Sequence, residues 1–250
     1  MNNEDLKKKI IIALDVKNKE EALAVVSGLK EARTFKVGLE LFTAEGPTLF
    51  KKLKVLRKRI FLDLKLHDIP NTVAGAVRSA VRHGIQMMTI HASGGREMMA
   101  RAAEAARETA EMDKVEAPLL LGVTILTSLK SADLDEVGMK PDLAGQVLRL
   151  AGLAKSAGMD GVVCSPQEIE ILRQEYGRDL LIVTPGIRPA WAEAQDQKRI
   201  MTPAEALRKG ADYLVIGRPI TGAASPQEAF ARIVEELERP DDPPHRKDRS

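Results

Sequence analysis

Asp63, Lys65 and Asp68 set two carboxylates around one ammonium inside the run IFLDLKLHDIPNT, residues 60–72. Carboxylates and ammonium groups at such spacing are the residue types of proton transfer and of electrostatic stabilisation of charge. The bland alternative is an ion pair that only fixes a loop. A buried charge cluster rarely improves stability over apolar packing, which favours a chemical use over mere support.

A β-strand must position these groups. Side chains alternate between the two faces of a strand, so Phe61, Asp63 and Lys65 fall on one face and Leu62, Leu64 and Leu66 on the other. In a parallel strand covered by helices the leucines pack outward. The charges then point into a barrel or cleft near the strand's carboxyl end, where α/β enzymes keep their chemistry. Pro70 suits the first turn of a helix, so residues 68–72 read as the strand-to-helix loop.

The rest of the chain bounds what such a cluster can serve. At 250 residues it is one (β/α) barrel long, or two small domains. Aromatic residues make up only 3%, so Ala, Val, Ile and Leu must fill the core. The 38 Lys+Arg and 36 Asp+Glu are interspersed, and no basic stripe with interleaved aromatics marks a nucleic-acid partner. Cys164, the one cysteine, ends the apolar run GVVC and reads as a small buried hydrophobe in a reducing compartment. No Cys/His cluster offers a zinc site. The start, MNNEDLKKKI, lacks an apolar signal core, and no run approaches the roughly 18 apolar residues of a membrane span. A cytoplasmic protein with no membrane segment is expected.

Taken in order, residues 10–16 (IIIALDV) form an apolar strand, and 19–32 carry Leu23, Val26 and Leu29 at helical spacing. Further strands are expected at 34–39, 60–66, 86–91, 118–125, 161–164, 180–183 and 213–216, with helices between them. Gly46 and Pro47 interrupt before a short basic helix, and Val73, Val77, Ala80 and Val81 make an apolar stripe that Gly84 ends. Short apolar strands alternating with helices make the pattern of a (β/α)8 TIM barrel, one domain over residues 1–237. Residues 238–250, rich in Pro, Asp, Arg and Lys, are expected to be a disordered tail. A doubly wound open sheet is the alternative, but no G-x-G-x-x-G follows the first strand.

The carboxyl ends of these strands hold Asp15, Lys36, Asp63 with Lys65, His91, Thr127, Gly186 with Arg188, and Gly217 with Arg218. Barrel topology brings such ends to one face. Phosphate is often held there by the loops after strands seven and eight, here TPGIRP and IGRPITGA, where glycine admits the anion and Arg218 supplies a bidentate donor. The long polar stretch 187–201, with Trp191, is expected to be a lid. His67 and His91 read as hydrogen-bonded structural histidines rather than catalytic ones.

The D-x-K-x-x-D motif continued as HDIPNT resembles the signature of orotidine 5′-phosphate decarboxylase. ALDV, FKVGLELF, TIHASGG, VTILTS, VTPGIRP and VIGRPI follow in that family's order, across residues 10–224. The resemblance implies that Lys36, Asp63, Lys65 and Asp68 form an alternating charge network, with Lys65 the proton donor. It implies that Asp15 and Lys36 hold ribose hydroxyls and that Thr127 meets the pyrimidine ring. Arg188, Gln197, Gly217 and Arg218 would bind phosphate, with Gln197 on the closing loop. It further implies a homodimer in which Asp68 and Thr72, flanked by the substrate-binding Ile69, Pro70 and Asn71, reach the neighbouring site. The implied partners are orotidine 5′-monophosphate and its product UMP, in pyrimidine synthesis, with no cofactor and no metal.

Two alternatives stay open. Metal-dependent sugar-phosphate decarboxylases and aldolases of the same barrel also carry D-x-K-x-x-D, but resemble one another in a glutamate near the end of strand two, where this chain has Lys36. A non-catalytic nucleotide-binding barrel would bind UMP without turnover.

Overall fold

The computed structural model describes residues 2–192 and 201–238. Eight parallel strands close in chain order: β1 (Ile10–Leu14), β2 (Thr34–Gly38), β3 (Arg59–Leu66), β4 (Met87–His91), β5 (Leu119–Val123), β6 (Gly161–Val163), β7 (Leu181–Thr184) and β8 (Tyr213–Ile216). β1 pairs with β2 on one side and with β8 on the other, so the sheet has no edge. This is the single-domain (β/α)8 barrel expected from the sequence.

Helices separate the strands. α1 (Asn3–Lys9) precedes β1 and α2 (Lys19–Gly28) follows it; α3 (Leu39–Glu45) and α4 (Thr48–Val55) follow β2. α5 (Pro70–Arg82) follows β3, and α6 (Arg96–Asp113) follows β4 after a single 3-10 turn. α7 (Ser131–Glu136) and α8 (Leu143–Ser156) follow β5, α9 (Ile169–Tyr176) follows β6, α10 (Pro203–Lys209) follows β7, and α11 (Arg218–Thr221) and α12 (Pro226–Glu238) follow β8. The helices not anticipated include two short ones with little apolar signal. In α1 only Leu6 is buried, so no apolar period announces it, and Asn2 caps it by accepting from the Asp5 amide. α7 lies in the polar stretch after β5 and likewise buries one residue, Leu134.

Alternation along each strand divides the core into two. Ile11, Ala13, Phe61, Met87, Leu121, Val183 and Val215 point inward and pack against one another. Their strand neighbours Ile10, Ile12, Leu14, Ile60, Leu62, Met88 and Ile90 point outward and join the helix stripes. In α5 that stripe includes the predicted Val73, Val77, Ala80 and Val81, and Gly84, at φ +67°, ends the turn after it as a left-handed residue. The inner stack is apolar at its base and charged at its top: Ala13 is followed by Asp15 and Phe61 by Asp63.

One arginine ties the far strands together. Arg173 of α9 donates to the carbonyls of Gly210 (2.8 Å), Gly177 (2.7 Å) and Leu180 (2.7 Å) and pairs with Asp212, whose Oδ2 also accepts the Ile182 amide at 2.8 Å. Both side chains are largely buried, so removing one leaves the other's charge uncompensated. Arg173→Leu is expected to cost about 3 kcal/mol of folding free energy, measured by urea unfolding; the nearby Arg178, 3.4 Å from Asp212, limits the loss.

Candidate active site

At the carboxyl end of the strands, Asp15, Lys36, Asp63, Lys65, Thr127, Arg188, Gly217 and Arg218 line one cavity of about 250 Å³ with Pro185, Gly186, Ile187 and Pro219. They come from the ends of six strands, and barrel closure alone brings them together. The floor is apolar: Ala13, Phe61, Val163 and Val215. Sequence reading missed that floor, although its signal was present two residues before several of the polar strand-end positions, on the same strand face.

Four charges run in alternation across the cavity. Lys36 Nζ lies 3.1 Å from Asp15 Oδ1 and 3.6 Å from Asp63 Oδ2. Lys65 Nζ donates to both oxygens of Asp63 at 3.0 Å. Lys36 and Asp63 are the sheltered members, with side chains 12% and 13% exposed, while Asp15 at 60% faces the opening. The sheltering of the inner pair strengthens its attraction relative to that of the exposed Asp15.

Lys65 does not reach this position by simple strand alternation. β3 and β4 pair regularly at Phe61↔Met87 and Leu62↔Met88 but next at Leu66↔Ile90, so β3 bulges between. Within the bulge Lys65 adopts φ +49°, a left-handed conformation that costs a non-glycine residue about 1–2 kcal/mol. The expected faces are nonetheless kept: Phe61, Asp63 and Lys65 line the cavity, while Leu62, Leu64 and Leu66 pack into the outer core.

The loop to α5 is shorter than expected, because the helix already starts at Pro70 and holds Asn71 and Thr72 in its first turn. Asp68, Ile69, Pro70, Asn71 and Thr72 lie outside the cavity of their own chain. Ile69, Pro70 and Asn71 line a separate groove with Arg78 of α5 and Glu97, Arg101 and Glu104 of α6. Asp68 accepts the Ile69 amide at 2.6 Å and makes no ion pair among the described residues. The root of the stretch expected to be a lid is closed by Ile187 bridging Met201 and by the Arg188 amide donating to the Met201 carbonyl at 3.0 Å. Trp191 stacks under the Arg232 guanidinium of α12 at 4.3 Å. Gln197 lies outside the described residues, as does the tail beyond Glu238.

Cys164 is fully buried, and burial pushes its thiol well above the ordinary value. Among the described residues no group of three or more His, Cys, Asp or Glu side chains is arranged to hold a metal ion. His91 sits at the end of β4 with its ring 5.5 Å from that of His67 and its Nδ1 buried without a hydrogen-bond partner, so the hydrogen-bonded role expected for it is not met there. Burial, then the charges of His67 and Lys65, push its pKa below the ordinary 6.5, with Asp63 opposing. The fold therefore favours neutral His91, and stability present above pH 6.5 is lost as the pH falls through the lowered value. His91→Asn is expected to flatten the decline in Tm between about pH 6.5 and 5; identical declines would contradict it.

Residues 8–233 match the family model described as "Orotidine 5'-phosphate decarboxylase / HUMPS family". The chain belongs to that family. Its relatives include orotidine 5′-phosphate decarboxylase of Nostoc sp., 52% identical over 230 residues that cover 92% of this chain and 97% of that one. The enzyme of the same name from Vibrio cholerae is 52% identical over 226 residues, covering 90% and 96%. A crystal structure of orotidine 5′-phosphate decarboxylase from Lactobacillus acidophilus superposes with a TM-score of 0.82 at 40% identity, covering 92% of this chain and 99% of that one. The matched residues 8–233 span all eight strands and the cavity at their carboxyl ends.

Proposed function

We propose that this chain decarboxylates orotidine 5′-monophosphate to UMP and CO2 in pyrimidine synthesis, by electrostatic catalysis with Lys65 as proton donor. The observation that carries this reading is the Asp15–Lys36–Asp63–Lys65 array, standing over an apolar floor with Arg188 and Arg218 lining the same cavity. Loss of CO2 leaves charge on a ring carbon with no adjacent carbonyl to take it up. A fixed ammonium stabilises that charge as it develops and then protonates the carbon. Asp63, beside the departing carboxylate, disfavours it in the bound substrate. Asp15 and Lys36 hold the ribose, Thr127 meets the ring, and Arg188, Gly217 and Arg218 hold the phosphate.

The test is turnover of orotidine 5′-monophosphate followed by ultraviolet absorbance in excess EDTA. Loss of substrate absorbance at an undiminished rate in EDTA supports the reading. No turnover, with magnesium-dependent activity on a sugar phosphate, would replace it with the metal-dependent chemistry of the same fold. Lys36 speaks against that alternative, because its ammonium between the Asp15 and Asp63 carboxylates would repel a metal ion there. Tight UMP binding without turnover would mark a nucleotide-binding barrel instead.

The reading includes a homodimer, with Asp68 and Thr72 serving the neighbouring site. Supporting it, Asp68 has no ion pair within its own chain among the described residues, and Leu39 and Ile69, after β2 and β3, are 57% and 67% exposed. Lys65→Ala and Asp68→Ala are each expected to be inactive alone. Mixed after reversible dissociation, they should recover about a quarter of wild-type activity, since half the dimers are hybrids with one intact site of two. No recovery would place Asp68 in its own chain's site. The cytoplasm suits the lone thiol, and no helix among the described residues is long and apolar enough to cross a membrane.

A further inference from the structure

We propose that Thr89 is a positioning residue that pins both Lys65 and Asp63, an inference that rests on the reading of the site given above. Between Leu62 and Leu66 the β3–β4 ladder is interrupted, with β3 using four steps where β4 uses two. Backbone groups inside such a bulge lose their strand partners and need others. The Lys65 amide finds one in the Thr89 hydroxyl, at 2.9 Å. That hydroxyl also lies 2.9 Å from Asp63 Oδ1.

The direction of both bonds is fixed by chemistry. An amide can only donate, so the Thr89 oxygen accepts from Lys65, and its single proton goes to the Asp63 carboxylate. One side chain thus holds the backbone of the ammonium-bearing residue and one oxygen of its counter-ion. Thr89 is itself fully buried on β4, one inward step above Met87, and pairs with Leu121 of β5 in regular register. It is anchored where Lys65 is strained.

Of the three non-glycine residues with positive φ among the described residues, Lys114 caps α6 and Arg57 follows α4, both common places for a left-handed residue. Lys65 alone of these lies within a strand. A left-handed strand residue persists only where its surroundings over-determine it, and the bond to Thr89 is the contact that does so at its amide. Threonine hides this role in the sequence, because a β-branched residue in the run MMTIH is also an ordinary strand former.

Thr89→Val keeps shape and volume and removes only the hydroxyl. It is expected to lower kcat for orotidine 5′-monophosphate on the order of 10²-fold, the effect of a misplaced reacting group, with KM within a few-fold because ribose and phosphate contacts are untouched. Thr89→Ser, which restores the hydroxyl, should recover kcat to within a few-fold of wild type. If the valine variant does not fold, Thr89→Ala removes the same hydroxyl and carries the same expectation. A crystal structure of the hydroxyl-less variant supplies a readout independent of turnover: Lys65 is expected to leave its positive φ, or the Asp63 carboxylate to rotate. Unmoved Lys65 and Asp63 would overturn the proposal, as would wild-type kcat or equal losses in the serine and valine variants. Absence of turnover in the wild type would instead overturn the functional reading, leaving the structural readout to judge Thr89.

Discussion

Lys65→Ala is expected to lower kcat for orotidine 5′-monophosphate by about 10⁴-fold or more. Delivery of a proton by a positioned acid is worth about 10²–10⁴-fold, and a preorganised charge aimed at a developing anion about 10²–10³-fold. Both services come from one nitrogen, so their losses combine without adding simply. The fold should survive. Alanine bears the same backbone cost at φ +49° as lysine does, and Asp63 keeps Lys36 at 3.6 Å and the Thr89 hydroxyl at 2.9 Å as partners. Melting temperature and UMP affinity are therefore expected to stay near wild type while turnover disappears. If the variant retained a tenth of wild-type kcat, Lys65 would not be the proton donor.

The second large effect is expected from the substrate. Orotidine, which lacks the phosphate, should lose about 10⁴-fold or more in kcat/KM, and part of that loss should fall on kcat. Charge-assisted hydrogen bonds contribute about 1.5–3 kcal/mol each, so Arg188 and Arg218 alone account for much of a binding loss. A fall in kcat at saturation means more: binding energy from a remote group is being used to hold the reacting end in a strained, closed arrangement. Asp63 and a substrate carboxylate brought side by side are such an arrangement. Equal kcat for orotidine and its phosphate would confine the arginines to simple affinity.

The barrel was legible in the sequence because each strand is short, apolar and followed by an amphipathic helix, and closure then follows from chain order. The charged array was legible for a related reason. Asp15, Lys36 and Asp63 interrupt apolar runs at the point where a strand leaves the core, which is costly unless the charge is used. The bulge at Lys65 was not legible, since a period of two continues through residues 60–66 whether or not the ladder slips. Nor was Thr89, whose hydroxyl matters only because of that slip. Asp68 to Thr72 show another limit: their sequence adjacency to Lys65 does not place them beside it, and they lie outside the cavity that Lys65 lines.

The closed ring of strands has a consequence for synthesis. Asp15 stands just past the first strand and Arg218 just past the last, and the two meet in one cavity because β1 and β8 are paired. A nascent chain still lacking β8 has neither that pairing nor that arginine, so all eight strands must leave the ribosome before the cavity can form. Ligand then stabilises finished molecules and leaves partial ones untouched. A supply of nucleotide in the cell would act as a selective check on completed copies, sparing them from proteolysis while truncated products remain open to it.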